Sequence, residues 1–168
     1  FVMELGRNAL ASKGKLDKLH MLIEASKIVN SAIDLDTLLG LILDVAARSI
    51  AADRGTLYLV DHNTEELWSK IAQGNGMVEI RLPMGKGLAG YVGRTGEVVN
   101  ITDAYRDTRF NPEIDRKSGY TTQTVLCMPM RNKEGKIVGV FQFLNKRTGL
   151  FGPEDEAFID ALSVHAAM

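Results

Sequence analysis

The stretch Thr124–Phe158, TVLCMPMRNKEGKIVGVFQFLNKRTGLFGPEDEAF, holds two apolar runs, a polar turn and the start of a helix. VLCMPM and KIVGVFQFL are rich in β-branched, aromatic and sulfur side chains, and Asn132 to Gly135 is turn chemistry, so the pair reads as a β-hairpin. Pro153 has a φ already suited to a first helical position, and Phe158, Leu162 and Val164 follow among the apolar positions of a final helix. Lys146 stands where the second strand ends; Asp155 and Glu156 stand where the helix begins. Neighbouring acids on a helix point in different directions, so they are no acid/base pair, and the helix dipole favours acids in a first turn. A strand-end cation beside such an acid is an ion pair that ties the last helix to the sheet.

Outward from this hairpin the chain reads as one α+β domain. LDTLLGLILDVAARSIA, after an Asp34 or Asp36 cap, carries a wide apolar face through Leu35, Leu38, Leu39, Ile42, Val45 and Ala46, with Asp53 and Gly55 as its breakers. TLYLVD and ELWSKIA follow as a hairpin turned at His62, Asn63 and Thr64, closed by QGNG at Gln73 to Gly76. A short run, Val78 to Leu82, leads through Pro83 to GKGLAGYVGRTGE, a small helix opened by Gly87 and closed by Gly96. Arg106 to Gly119 is polar, lacks apolar periodicity and reads as a long loop with one helical turn; loops of that length in compact domains tend to be functional. The expected architecture is a central antiparallel sheet, with the N- and C-terminal helices layered on one face and a pocket under the small helix and long loop on the other.

Upstream, KLDKLHMLIEASKIVNSAI from Lys15 to Ile33 spaces Leu16, Leu19, Ile23, Ser26 and Ile33 at heptad-like steps, the pattern of an amphipathic helix. Two readings stand: a helix packed on its own domain, or a coiled-coil connector pairing with a second subunit, with Ser26 and Asn30 setting register. The division is residues 1–33 as connector or dimerisation helix and 34–168 as the globular domain. The chain opens without Met and closes within a helix, which reads as a piece of a longer protein.

Composition excludes whole classes. Of 168 residues, 45% are hydrophobic and 24% charged, the balance of an ordinary globular domain, and a net charge of -1 gives no electrostatic footprint for nucleic acid or an anionic membrane. No run approaches the roughly 20 apolar residues of a membrane-spanning helix. Cys127 is the only cysteine, so there is no internal disulfide or multi-cysteine metal site, and a cytoplasmic address is expected. His20, His62 and His165 lie far apart and away from Cys127, which leaves no Cys-His nucleophilic pair. MGKGLAG lacks the earlier glycine and the Ser or Thr of a P-loop. An enzyme is therefore not expected in this segment.

The candidate site is a binding site. In GKGLAG, the amides of Gly87, Leu88 and Ala89 at a helix start offer a place for one phosphate, although alone the motif reads as a tight strand-to-helix turn. The long loop follows directly and is able to fold over it, with Tyr105 offering a phenol and Thr121, Thr122 and Thr124 offering hydroxyls. Gln142 interrupts VGVFQFLNK with an amide that faces either a pocket or water.

Together LVD, GKGLAG, NITDAY, TVLCMPM and the closing NK…F…DE resemble a GAF domain of the cyclic-nucleotide-binding kind found in phosphodiesterases and cyanobacterial adenylyl cyclases, over nearly the whole chain from Lys15. Asn145, Lys146, Phe151, Asp155 and Glu156 look like that family's NKFDE signature. The resemblance implies a structural clamp between Lys146 and Asp155 with Phe151 as an apolar plug. It also implies a ligand site made of Gly87, Leu88, Ala89, Tyr105, Thr122 or Thr121, and Gln142 near the sugar. RGT is similar to the Arg-x-Thr of cyclase GAF domains that bind cyclic AMP, which nominates Arg54 and Thr56 for the base. After the second strand, where cyclic-GMP relatives carry an aromatic and an acid, this chain has Ala72 and Gln73. Guanine presents an N1 donor that a carboxylate would satisfy, whereas the Thr56 hydroxyl or the Gln73 amide suits adenine, so the expected ligand is cyclic AMP rather than cyclic GMP. The implied partners are that nucleotide, a second copy joined through the terminal helices, and a covalently attached output domain. The competing expectations are a GAF domain with another ligand or none, serving as a dimerising spacer, and a chromophore or haem domain, against which the residues speak.

Overall fold

The computed structural model describes residues 2–4, 35–73 and 76–166. Its strands are β1 (Val2–Glu4), β2 (Ala52–Asp61), β3 (Glu66–Gln73), β4 (Gly76–Pro83), β5 (Val99–Ile101), β6 (Val125–Arg131) and β7 (Ile137–Lys146). Its helices are α1 (Leu35–Ser49), α2 (Gly87–Thr95), α3 (Glu113–Ser118) and α4 (Pro153–Ala166), with a 3₁₀ turn at Ala104–Arg106. The strands form one antiparallel sheet in the order β4-β3-β2-β7-β6-β5, and β1 pairs with β2. Among the described residues no helix is long and apolar enough to cross a membrane.

The two hairpins form for local reasons. Asp61 Oδ1 accepts the Asn63 and Thr64 amides at the β2–β3 turn, and Asn132 Oδ1 accepts those of Glu134 and Lys136 at the β6–β7 turn, where Gly135 takes φ 82°. The central strands β2, β7 and β6 are covered on both faces. On one face, Ile42, Leu43, Ala46 and Ala47 of α1 and Ile159 and Leu162 of α4 pack on Leu57, Leu126, Phe141 and Phe143. On the other, Leu88, Ala89 and Val92 of α2 pack on Tyr58, Leu67, Cys127 and Val140. Alternation along each strand produces this split, since successive side chains point to opposite faces.

Two boundaries differ from the sequence reading. β2 begins at Ala52 rather than Thr56, so Asp53 and Gly55 lie within the strand instead of between elements. The chain reverses at Ala51, φ 56°, directly after α1. At Gly55 the α1 side chains pack close on the sheet: a Cβ there would stand 3.1 Å from Leu43 Cδ1 and 3.3 Å from Phe143 Cδ1. The second difference is β1, a strand in a region assigned above to a connector helix. β3 pairs with β2 only over Leu59–Asp61, and β1 takes the edge left open beside Arg54, Gly55 and Thr56. The helix expected over Lys15–Ile33 lies outside the described residues.

Candidate functional site

A cleft of about 520 Å³ opens on the α2 face of the sheet, within the roughly 300–1,000 Å³ usual for small-molecule sites. Tyr58, Gln142 and Leu144 line it from the sheet, Arg81–Pro83 and Lys86–Ala89 from the end of β4 and the start of α2, Thr108–Pro112 from the long loop, and Asp115 and Thr122 from that loop's return. The sheet register aligns Thr56, Gln142, Cys127 and Val99 across four strands, and of these Gln142 lines the cleft.

Glycines shape the approach to α2. Gly85 and Gly87 have φ of 87° and 70°, a region that costs other residues energy. Lys86 between them is extended, and its amide bonds the Pro83 carbonyl at 3.2 Å. A Cβ on Gly90 would stand 2.7 Å from the Pro83 carbonyl oxygen. This folded-back turn directs the first-turn amides of α2, which have no intrahelical acceptor, at the cleft. Gly96, φ 75°, ends the helix by donating its amide to Val92 O.

The loop over the cleft is held at several points. Arg109 donates from Nε and Nη2 to Asp107 at 2.9 and 2.6 Å and lies over the Tyr91 ring of α2, 4.6 Å from its centroid. That guanidinium holds the Asp107 carboxyl below the usual carboxylate range. Asp115 is buried and accepts the Thr122 amide and hydroxyl at 2.7 and 2.8 Å and the Tyr105 hydroxyl at 2.6 Å. At the base, Asn145, φ 57°, accepts the Gln123 and Thr124 amides at Oδ1 and donates from Nδ2 to Thr121 O and the Tyr120 hydroxyl.

Next to Asn145 in the chain, Lys146 begins a second set of contacts. Its Nζ lies 2.9 Å from Asp155 Oδ2 and donates to Ile50 O at 2.8 Å. Asp155 also accepts the Gly152 amide, Phe151 is buried with Lys146 Nζ 5.9 Å from its ring, and Glu156 accepts from Asn100, whose amide also reaches Phe151 O. The five signature residues are thus brought together at the junction of β2, β7 and α4, away from the cleft.

Of the predicted ligand residues, Gly87, Leu88, Ala89, Thr122 and Gln142 line the cleft. Tyr105 is 52% exposed, and its hydroxyl is engaged by Asp115. Thr121 is exposed. Arg54 lies 3.6 Å over the Tyr120 ring and Thr56 is buried; neither lines the cleft. The side chain of Gln73 lies outside the described residues. Sequence reasoning missed Tyr58, Lys86, Arg109 and Asp115. Of these, only the strand alternation that carries Gln142 inward could have found Tyr58, on the neighbouring strand.

Charge in the cleft is largely compensated. Arg81 is bound by Asp61, Glu66 and Glu79 at 2.9 to 3.2 Å, and Arg109 by Asp107. The Lys86 side chain has no hydrogen-bonding or ion-pairing partner among the described residues. Burial pushes the Tyr58 phenol up to about 12 and raises the Cys127 thiol further, so both stay protonated. Among the described residues no group of His, Cys, Asp and Glu could hold a metal ion.

Comparison with known proteins places this geometry. The GAF domain family matches residues 34–168. The chain is 35% identical over 95% of its length to a probable 3′,5′-cyclic phosphodiesterase, pde-5, of Caenorhabditis elegans. It is 40% identical over 80% to the dual 3′,5′-cyclic-AMP and -GMP phosphodiesterase 11A of Takifugu rubripes, and 39% identical over 80% to a cGMP-specific 3′,5′-cyclic phosphodiesterase of Drosophila mojavensis. It spans 23%, 16% and 13% of those relatives' lengths. Among solved structures, the GAF domain of a phosphoenolpyruvate-protein phosphotransferase from Coxiella burnetii superposes with a TM-score of 0.68 at 26% identity, covering 93% of each chain. The chain belongs to the GAF domain family.

Proposed function

We propose that this regulatory small-molecule-binding domain takes a 3′,5′-cyclic nucleotide in the cleft and relays its presence through the terminal helices to an output domain. The observation that carries the reading is the meeting, in one cavity, of the free amides of Gly87–Ala89, the uncompensated Lys86 ammonium and the Gln142 amide under a polar loop. The phosphate of a cyclic nucleotide carries one negative charge, and one helix start with one ammonium complements it. Gln142 and Thr122 face the ribose and base, and Leu82, Leu88, Phe110 and Leu144 supply the apolar walls that a base needs. The relatives, which act on cyclic nucleotides by name, support the same class.

The base is left open between adenine and guanine. The preference for cyclic AMP rested on Arg54, Thr56 and Gln73; the first two stand off the cleft, and the relatives include a dual-specificity enzyme and a cGMP-specific one. Relay uses the difference in ligand affinity between loop-closed and loop-open states and nothing more. Asn145 at the loop base adjoins Lys146, which holds both the end of α1 and the start of α4. In this reading the chain between β1 and α1 pairs two copies in the cytoplasm and α4 leads onward.

Calorimetric titration of the nucleotide-stripped domain with cyclic AMP and cyclic GMP tests it, with Gln142→Leu and Lys86→Glu alongside. Saturable binding of at least one nucleotide, weakened roughly tenfold or more in each variant, is expected. No heat and no thermal shift with either would overturn the reading and leave a dimerising spacer or a sensor of another ligand.

A further inference from the structure

Tyr58 differs from the other polar groups around the cleft. It is 7% exposed, lines the cleft from the middle of β2, and its hydroxyl makes no hydrogen bond among the described residues. The oxygen is not among the buried, unpaired side-chain atoms of the described residues, so it reaches the open space of the cleft rather than being sealed in the core. Its ring packs in the cluster that contains Leu88, Ala89 and Val92, beneath the start of α2. The phenol therefore shares one cleft with the first-turn amides of α2 and lines it from the sheet.

We propose that the Tyr58 hydroxyl is a ligand-recognising donor that completes the phosphodiester site begun by the α2 amides, a role resting on the cyclic-nucleotide reading above. The donor faces one exocyclic phosphate oxygen from the sheet while the first-turn amides of α2 face the phosphate from the helix. Because burial pushes the phenol up to about 12, it is a donor at neutral pH. An oxygen that reaches the cleft and bonds no described residue is available to a ligand there, whereas phenylalanine would fill the same space with no donor to offer.

The test is Tyr58→Phe, which removes the oxygen and keeps the ring. Titration with cyclic AMP and cyclic GMP should show affinity reduced roughly 10- to 100-fold, the range for a hydrogen bond to a charged group. The ligand-free melting temperature should be unchanged or higher. The Rp and Sp phosphorothioate analogues, with sulfur in place of one or the other exocyclic oxygen, should be discriminated by the native chain and less so by Tyr58→Phe. Equal affinity of Tyr58→Phe and the native chain would overturn the inference while leaving the cyclic-nucleotide reading standing. So would a Tyr58→Phe chain that melts several degrees lower or fails to fold, because the oxygen would then serve the core. A native chain that binds neither nucleotide would overturn both.

Discussion

Replacing Lys146 with Met removes the charge of the clamp and keeps most of the aliphatic stem. In the native domain the two side chains are 18% and 14% exposed, the ammonium lies 2.9 Å from Asp155, and it also donates to Ile50 O. An exposed ion pair contributes about 0–1 kcal/mol, whereas removing one partner of a buried pair costs about 3–5 kcal/mol because the other charge is stranded. Here the Gly152 amide still bonds Asp155, and its place in the first turn of α4 keeps a favourable dipole, which offsets part of that cost. The Ile50 carbonyl, by contrast, loses its lysine donor. The expected loss is about 2–4 kcal/mol, and for a domain of this size that is a fall of about 4–16 °C in melting temperature. Urea unfolding followed by circular dichroism measures it. Lys146→Met with Asp155→Asn should be more stable than the sum of the single losses by about 1 kcal/mol or more, since the second change removes the stranded charge. A single-variant loss under 1 kcal/mol, or strictly additive losses, would refute the buried-clamp argument.

Three further outcomes follow from particular contacts. Asn145→Ala should cost about 2–4 kcal/mol in urea unfolding, because it loses four hydrogen bonds to Tyr120–Thr124 and keeps a left-handed φ; Asn145→Gly should cost about 1 kcal/mol less, since glycine tolerates that φ. Gly90→Ala should cost about 1–3 kcal/mol and weaken nucleotide binding, because its Cβ meets backbone at 2.7 and 3.1 Å and the start of α2 must shift; unchanged stability and affinity would contradict this. Arg109 depresses the Asp107 carboxyl in the folded chain, so the pair's contribution is complete above the unfolded value of about 3.9 and is lost as pH falls through the lower folded value. Asp107→Asn should therefore flatten the acid limb of a stability–pH curve below about pH 4, and an unchanged limb would show that the pair is not coupled to folding.

The hairpins, the bounds of α2 and the helix starting at Pro153 were legible because each is punctuated by its own turn chemistry: Asn132 and Gly135, Gly87 and Gly96, Pro153. The start of β2 was not, because Gly55 reads as a breaker along the chain; it admits Leu43 of the preceding helix, a packing contact that the local pattern does not show. The signature residues were legible as a clamp, yet Asn145 as the root of the cleft loop was hidden, since nothing local shows that its amide reaches Thr121 and Gln123 in the segment before β6. Asp115 sits on the short α3 in a polar stretch that also holds Glu113, with no feature marking it as the buried acid. Tyr105 has the right chemistry for a phosphate contact, but Asp115 takes its hydroxyl. Arg54 and Thr56 share the cleft face by alternation, but Arg54 lies over Tyr120 and Thr56, level with Gln142, is buried, and neither lines the cleft.

The account's central claim is that a cyclic nucleotide occupies the cleft between α2, the long loop and β7. Amide-resolved NMR titration of the native domain with cyclic AMP and cyclic GMP tests it directly. The account predicts saturable shifts centred on Gly87–Ala89, Thr108–Asp115, Thr122 and Gln142. Shifts centred instead on the groove between Val98, Met128 and Val164 beside α4, or none with either nucleotide, would contradict it.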